Sequence, residues 1–257
     1  MSGLLRISRR AALIGAAGAG GLMLTGCDKL SQSPSFLRVM DMAERLNLKT
    51  QRLLMPKTAL APEFTQADLS PVFKANGSFT GTTDEYRRLL DNNFADFRLK
   101  VFGLVRHPLS LSLEELKALP ARSQITRHDC VEGWSAIGGW TGVQLSLLLA
   151  AAQLLPQARY IVFNCADNLG GGPGGLYYES IDLVDAVHPQ TIMAYAMNGQ
   201  PLPVAHGAPL RLRLERQLGY KMAKYVMSIE AVDSLARIGS GRGGFWEDRG
   251  YEWYAGI

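Results

Sequence analysis

Residues 123–155 read SQITRHDCVEGWSAIGGWTGVQLSLLLAAAQLL, and this stretch decides the fold. A predicted strand over 123–127 leads directly into His128-Asp129-Cys130. Glycine-rich sequence follows, and an apolar helix then begins at Leu145 and ends before Pro156. This apolar run is too short to cross a membrane, which needs roughly 20 residues, so it predicts a buried helix.

The rest of the chain mixes strands and short helices in irregular order. Further strands are predicted at 97–105, 160–164, 191–197, 210–214 and 223–231, and further helices at 35–55, 84–90 and 112–120. Because regular βαβ alternation is missing, the sequence predicts a single-domain α+β fold with a mixed, largely antiparallel β-sheet core and short helices. It argues against a doubly wound fold.

The composition is that of a globular protein, with 257 residues of which 47% are hydrophobic and 19% charged. Lys and Arg outnumber Asp and Glu by 27 to 23. Three of the cations, Arg6, Arg9 and Arg10, lie in the first 26 residues, which contain no acid. The remainder is nearly neutral, and no basic cluster with interleaved aromatics occurs, so a nucleic-acid partner is not expected.

The N-terminal segment has the features of an export signal. Arg9-Arg10 precedes a Gly/Ala-rich apolar run, which resembles a twin-arginine signal, and Leu24-Thr25-Gly26-Cys27 matches a bacterial lipobox. We expect residues 1–26 to be removed, Cys27 to carry a lipid anchor, and the protein to be periplasmic. Asp28 favours retention at the inner membrane. The alternative is an uncleaved signal-anchor helix with a chance cysteine.

Cys130 and Cys165 leave several kinds of chemistry open. In an oxidising compartment they could form a disulfide. Cys130 could instead ligate a metal, or act as a nucleophile with His128 or His206 as its base. No zinc-ligand spacing is present.

Two polar patterns have an ordinary and a functional interpretation. Residues 170–175 are glycine-rich but lack the Lys-Ser/Thr ending of a phosphate loop, so a turn or a flexible loop is favoured. Arg211, Arg213 and Glu215 alternate, so they share one face of a strand. That face is either solvated or a phosphate site, because Arg forms bidentate bonds with phosphate.

Several motifs together resemble the molybdopterin-binding domain of the sulfite oxidase family, in its exported bacterial branch. The matching segments are 127–134 (RHDCVEGW), 182–189, 197–203 (MNGQPLP), 206–211 (HGAPLR) and 219–225 (GYKMAKY). The match extends over about 92–229, with a further match near Tyr251. On this basis 1–26 is a twin-arginine lipoprotein signal, 27–90 a lipidated tether and helical or extended arm, and 91–257 the molybdopterin-binding oxidoreductase domain.

The resemblance implies a molybdenum held by a pterin dithiolene and by one protein thiolate, Cys130. It implies molybdopterin without an added nucleotide. Tyr251 corresponds to an active-site hydrogen-bond donor, although packing against Trp246 and Tyr254 is an alternative role. The residues that match cofactor contacts are Asn92, Ala95, Asp96, Asp167, His206, Arg211, Met222, Ala223 and Lys224. Cys165 is then either a second thiol near the site or a buried filler.

These expectations describe an exported oxidoreductase that transfers an oxygen atom to or from a small sulfoxide- or sulfite-like substrate. The sequence has no CxxCH haem site and no Cys cluster, so electrons are expected to pass to or from a membrane haem protein or a cytochrome. A sulfite-oxidase-type dimer is not expected. Two alternatives remain: a cofactor-bearing electron-transfer or binding protein without turnover, and a metal-free envelope lipoprotein with a Cys130–Cys165 disulfide.

Overall fold

The computed structural model of the chain describes residues 33–172 and 174–257. The predicted signal over 1–26 and the predicted lipidation site Cys27 lie outside these residues. The chain divides after Leu54 into two units. Within the first unit, an amphipathic helix occupies Pro34–Leu54, which confirms the predicted helix. None of the helices in the described part has the length and apolarity that crossing a membrane requires.

The second unit, residues 55–257, contains the sheets. The helices of the described chain are α1 (Pro34–Leu54), α2 (Asp84–Asp91), α3 (Leu113–Ala118), α4 (Leu145–Ala152) and α5 (Leu183–Ala186). The strands are β1 (Arg98–Gly103), β2 (Leu109–Ser112), β3 (Ala121–Asp129), β4 (Ser135–Gln144), β5 (Tyr160–Asn168), β6 (Leu176–Asp182), β7 (Ile192–Met197), β8 (Gln200–Pro201), β9 (Arg211–Arg213) and β10 (Val226–Val232). Short 3₁₀ turns include Gly219–Lys221 and Glu247–Arg249.

The strands form two five-stranded sheets. One has the order β2-β1-β10-β5-β6, and the other has β3-β4-β7-β8 with β9 paired to β7. Only the β1/β10 pair is parallel among the named strand pairs of the described chain. The predicted α+β class with a mixed, largely antiparallel core is therefore confirmed.

The main apolar core joins α4 to strands of both sheets. Leu145 and Leu148 of α4 are fully buried in the same cluster as Phe163 of β5, Met193 of β7 and Ile229 of β10. The predicted apolar helix thus packs inside the unit, as its composition indicates. This packing fixes the sheets relative to each other and so fixes the loops at their ends.

Strand β4 was not predicted from the sequence, because its three glycines disfavour a strand. Gly142 is required by close backbone approach: a Cβ there would lie 2.2 Å from the Met193 carbonyl oxygen on the paired strand β7. Glycine in a strand often marks such an approach. The Gly-rich pattern therefore belongs to a central strand that is paired on both sides.

Residues 55–90 belong to the second unit. Glu63 forms a bridge with Thr126 of β3, and the amides of Thr82 and Thr83 donate to the Ala166 carbonyl. Tyr86 of α2 is fully buried, and its hydroxyl donates to the Ala208 carbonyl at 2.7 Å. The segment predicted as an arm therefore packs on the sheets, and it brings residues 76–78 to the site described next.

Candidate functional site

A cleft opens beside the end of β3, with an empty volume of about 690 Å³ that includes open solvent. Pockets of this size accommodate cofactors and small substrates. It is lined by Asn76, Gly77, Ser78, Cys130, Val131, Glu132, Asp167, Leu169, Tyr177, Gly219, Tyr220, Lys224, Trp246 and Tyr251. These residues come from six separate segments, which the two sheets hold together.

Cys130 lies in this cleft with only 6% of its surface exposed. Its amide donates to the Trp134 carbonyl at 2.9 Å, which closes the turn after β3. The Asn76 side-chain nitrogen lies 3.7 Å from the Cys130 Sγ and donates to it. Burial raises the pKa of the Cys130 thiol, and the Glu132 carboxylate acts in the same direction. A bound cation would reverse this, because coordination deprotonates a thiol.

The structure excludes two earlier alternatives for the cysteines. Cys130 and Cys165 are both buried free thiols, so the alternative of a Cys130–Cys165 disulfide is wrong. Among the described contacts, neither His128 nor His206 bonds to the Cys130 sulfur. His128 is instead fully buried, with Nδ1 3.2 Å from Arg213 Nη1. A nucleophile activated by either histidine is therefore not supported.

Basic residues cluster at one wall of the cleft. Lys224 lies in the cleft wall, and its Nζ donates to the carbonyls of Asn76 at 2.8 Å and Ala205 at 3.0 Å. Arg211 is 2% exposed, donates from Nη1 to the His206 carbonyl at 3.0 Å, and has no partner for Nε. In the described part of the chain, no carboxylate forms an ion pair with Arg211, His206 or Lys224.

The electrostatics of this group favour an anion. Burial lowers the pKa of Lys224 to about 7, and the Arg211 charge adds to the effect. Burial and then Arg211 and Lys224 lower the pKa of His206 to about 4. Burial, with the charge of Arg213, lowers the pKa of Arg211 to about 9. Arg211 is therefore a buried cation without an anionic partner, which is costly, so a bound anion such as a phosphate would stabilise it and would favour the protonated forms of Lys224 and His206.

The neighbouring Arg213 differs from Arg211 in having its own partner. Both arginines lie on β9 and both stack on Trp140, with guanidinium carbons 4.8 Å (Arg211) and 4.3 Å (Arg213) from the ring centroid. Arg213 pairs with Glu215, 2.6 Å apart and fully buried on both sides. The face that these residues share is therefore buried, and the solvated-face interpretation is wrong.

Comparison with known proteins identifies the family. The profile described as "Oxidoreductase molybdopterin binding domain" matches residues 88–237. The chain belongs to this family. It is therefore a molybdopterin-binding oxidoreductase, and the predicted enzyme class is confirmed.

The chain is also similar to individual known proteins. The chain is 38% identical over 97% of its length to the "Putative protein-methionine-sulfoxide reductase subunit YedZ1" of Azospira oryzae, and covers 88% of that protein. It is 34% identical over 61% of its length to the "Protein-methionine-sulfoxide reductase catalytic subunit MsrP" of Xanthomonas campestris pv. campestris, spanning about half, 51%, of that protein. The crystal structure of the sulfane dehydrogenase SoxCD from Paracoccus pantotrophus matches with a TM-score of 0.49 at 24% identity, over 55% of this chain and 39% of that chain.

The residues of the cleft fit the cofactor of this family. Cys130 presents a single buried thiol to the cleft, as a metal with one protein ligand requires. Arg211 Nε and Asp167 Oδ1 are buried without partners. A buried polar atom without a hydrogen-bond partner in the protein usually binds a ligand or a water molecule. Together with the unpaired cations, they suit a molybdenum–molybdopterin cofactor with an anionic phosphate.

The structure brings together most of the predicted site residues. Cys130, Asp167, Lys224 and Tyr251 line the cleft. Lys224 bonds to the carbonyl of Ala205, the residue before His206, and Arg211 bonds to the His206 carbonyl. His206 and Arg211 therefore adjoin Lys224. The Met222 sulfur lies 3.3 Å from His128 Nδ1, and Ala223 is buried with its carbonyl bonded to the Leu212 amide.

Three predicted residues lie elsewhere, at the end of α2. Asn92 caps this helix, and its side chain donates to Asp96 at 2.6 Å, while Ala95 is exposed. None of them lines the cleft. The adjoining Asn93 and Phe94 both have positive φ, which is uncommon for a bulky residue such as Phe94 and marks a constrained loop. Their predicted role in cofactor contact stays a prediction.

Tyr251 sits in an aromatic wall. It stacks on Trp246, with ring centroids 5.3 Å apart, and meets Tyr220 edge-on at 5.2 Å. It is about one-third exposed. Its two predicted roles, hydrogen-bond donor and packing residue, are compatible with this position.

The sequence did not predict the contribution of Asn76, Ser78 and Tyr177 to the cleft. Ser78 donates to Asp167 Oδ2 at 2.6 Å, and Asn76 donates to Cys130. Asn76-Gly77 is a turn signal that would have located the loop, though not its position over Cys130.

The low pKa of Lys224 predicts a pH effect on the stability of the cofactor-free protein. Above about pH 7 the folded protein leaves Lys224 neutral, while the unfolded chain keeps it protonated until near its ordinary pKa of 10.5. Since the unfolded state binds the extra proton, the free energy of unfolding rises with pH in this window, by about 1.5 kcal/mol between pH 7 and 8.5. Urea unfolding measures it. The Lys224→Met variant should lose this increment, and an unchanged slope would contradict the assignment.

Proposed function

We propose that this oxidoreductase reduces a methionine sulfoxide-type substrate to the thioether, consuming two electrons and two protons and releasing water. The observation that carries the proposal is the position of the Cys130 thiol in a cleft with a wall of Tyr220, Trp246 and Tyr251. Aromatic rings make favourable contacts with thioether sulfur, so this wall suits the sulfur side chain. The names of the two relatives, a putative protein-methionine-sulfoxide reductase subunit and a protein-methionine-sulfoxide reductase catalytic subunit, support the same substrate class.

Different residues of the chain would have different roles in this reaction. Cys130 would ligate the molybdenum, and Arg211, His206 and Lys224 would hold the pterin phosphate by charge-assisted hydrogen bonds. The bound cofactor supplies oxygen-atom transfer and two-electron redox chemistry, while the protein supplies binding and orientation. The Tyr251 hydroxyl would donate a hydrogen bond to the substrate oxygen. We further propose that the pterin carries no added nucleotide, which mass spectrometry of the released cofactor tests.

A turnover assay tests the function. Natively produced protein with bound molybdenum should oxidise a reduced dye when methionine sulfoxide is added, with the thioether formed in equal amount. Oxidation of sulfite in preference to sulfoxide reduction would contradict the proposal. Molybdenum-loaded protein that turns over neither substrate would favour the cofactor-bearing electron-transfer protein without turnover.

The electron donor is proposed to be a separate membrane haem protein or a cytochrome. The sequence contains only three cysteines and no CxxCH haem motif. The name of the Azospira relative, a "subunit", is consistent with such a partner.

We also propose export by the twin-arginine route and anchoring at the inner membrane through lipidated Cys27. The supporting features are Arg9-Arg10 and the Leu24–Cys27 lipobox. The double variant Arg9→Lys/Arg10→Lys should stay in the cytoplasm, whereas Arg6→Lys, the matched control, should be exported. Cys27→Ala should no longer fractionate with membranes. Normal membrane association of Cys27→Ala would overturn the anchor.

A further inference from the structure

Behind the cleft lies a buried cluster of three charged residues. Glu179 of β6 and Lys221 are fully buried, as is Glu247 of the Glu247–Arg249 turn. Lys221 Nζ donates to Glu247 Oε1 at 2.5 Å and also to Glu179 Oε1. The Ser180 amide donates to the same Glu179 oxygen at 2.7 Å.

The cluster holds two carboxyl groups for one ammonium. If both were ionised, a net negative charge would be buried, which is strongly unfavourable. Burial raises the pKa of Glu179 well above its usual range, and the Glu247 charge adds to this, while Lys221 opposes it. The pair therefore keeps one proton at neutral pH.

Hydrogen-bond geometry identifies the carboxyl that carries the proton. The Tyr177 hydroxyl donates its single hydrogen to the Tyr220 carbonyl, and Glu179 Oε2 lies 3.4 Å from the same hydroxyl oxygen. A phenol has one hydrogen, so this second contact becomes a hydrogen bond only if Glu179 donates. Glu179 and Glu247 also share a side-chain hydrogen bond, which raises the pKa of Glu179 further and so favours the proton on Glu179. Glu179 is therefore the protonated member.

This proton lies one side chain from the cleft, because Tyr177 and Tyr220 both line it. The other titratable groups around Tyr177 are Glu247, Cys165 and Asp167, and all three favour the protonated phenol. Asp167 lines the cleft and Cys165 is fully buried. No cation other than Lys221 contacts the Glu179 carboxyl among the described residues.

We propose that Glu179 stores a proton and delivers it through the Tyr177 hydroxyl to the substrate oxygen in the cleft. This rests on the proposed sulfoxide reduction. The Tyr177 hydroxyl rotates from the Tyr220 carbonyl toward the substrate oxygen. Its O–H bond breaks as an O–H bond forms at the substrate oxygen, while the O–H bond of Glu179 breaks as a new one forms at the Tyr177 oxygen. That oxygen leaves as water after it takes a second proton from solvent, and the two electrons come from the haem donor. Glu179 remains as a carboxylate bonded to Lys221 until solvent reprotonates it.

Two variants of the full, molybdenum-loaded protein test the relay. Glu179→Gln keeps the shape and the neutral state of the acid but holds no transferable proton, and Tyr177→Phe removes the connecting hydroxyl. Each should lower kcat on the order of 100-fold, the effect of losing a general acid, with little change in KM. Because the relay needs protonated Glu179, the wild-type kcat should fall at alkaline pH, and this fall should be absent from Glu179→Gln. Glu230→Gln and Tyr195→Phe, outside the site, are the matched controls and should behave as wild type.

Infrared spectroscopy gives a readout independent of turnover. Wild-type protein at neutral pH should show a protonated-carboxyl C=O stretching band that Glu179→Gln lacks and Glu230→Gln retains. A Glu179→Gln spectrum that keeps the whole band would overturn the proposal, as would a working variant with the wild-type pH profile. A wild type that shows the band but reduces no sulfoxide would overturn the proposed function instead, so the two failures are distinguishable.

Discussion

Replacement of Cys130 by alanine is expected to yield a folded protein that contains no molybdenum and reduces no sulfoxide. Cys130 presents its thiol to the cleft, and no second cysteine of the described chain lines that cleft. Removing a residue that merely supports a metal ligand costs about 10–100-fold in affinity or activity, so loss of the ligand itself should exceed that range. Elemental analysis by plasma mass spectrometry, beside the dye assay, measures both effects.

Cys165→Ala is the matched control for this experiment. Cys165 is also a buried free thiol, but it does not line the cleft. Its variant should keep the molybdenum, and both alanine variants should unfold with free energies within about 1–2 kcal/mol of wild type, as most single substitutions do. Full molybdenum content in Cys130→Ala would show that the cofactor is held without this thiolate, and would remove the basis of the site.

The site could be predicted from sequence where its residues are local, and not where it is assembled from distant segments. Cys130 stands in a continuous motif with a strand before it, and Arg211 and Arg213 alternate on a strand. Both patterns can therefore be recognised in the amino-acid sequence alone. Glu179, Lys221 and Glu247 come from three segments separated by 42 and 26 residues. No local pattern links them, since only the pairing of β5 with β6 and the two 3₁₀ turns bring them together.

The secondary-structure elements differ in the same way, since some depend on local sequence and others on tertiary contacts. Helix α3 confirms the helix predicted at 112–120, and the sequence Ser112–Glu115 that begins it forms both hydrogen bonds of a capping box. Strand β4 was missed because its glycines are dictated by tertiary contact, the approach of the Met193 carbonyl to Gly142, rather than by local propensity. Local signals therefore identified many of the elements, but β2, β4, β6 and α5 were not predicted, and the close contacts between elements had to be observed.

Replacement of Arg211 by methionine is expected to have opposite effects on the two forms of the protein. In the cofactor-free form Arg211 is a buried cation that no carboxylate pairs within the described residues, so an apolar side chain of similar length should leave the free energy of unfolding unchanged or raise it. In the cofactor-bound form the same change removes a charge-assisted contact to the phosphate, which costs about 2–5 kcal/mol and so weakens binding on the order of 30- to 4,000-fold.

Arg213→Met separates this explanation from a general effect of losing an arginine on β9. Arg213 shares the strand, the face and the Trp140 ring with Arg211, but it is paired with the buried Glu215. Its removal leaves that carboxylate without its cation, so the cofactor-free protein should lose about 3–5 kcal/mol of stability. Urea unfolding of both variants, with their molybdenum content, measures the contrast. Equal destabilisation by the two substitutions would mean that Arg211 already has an anionic partner within the protein, and the phosphate site would have to lie elsewhere.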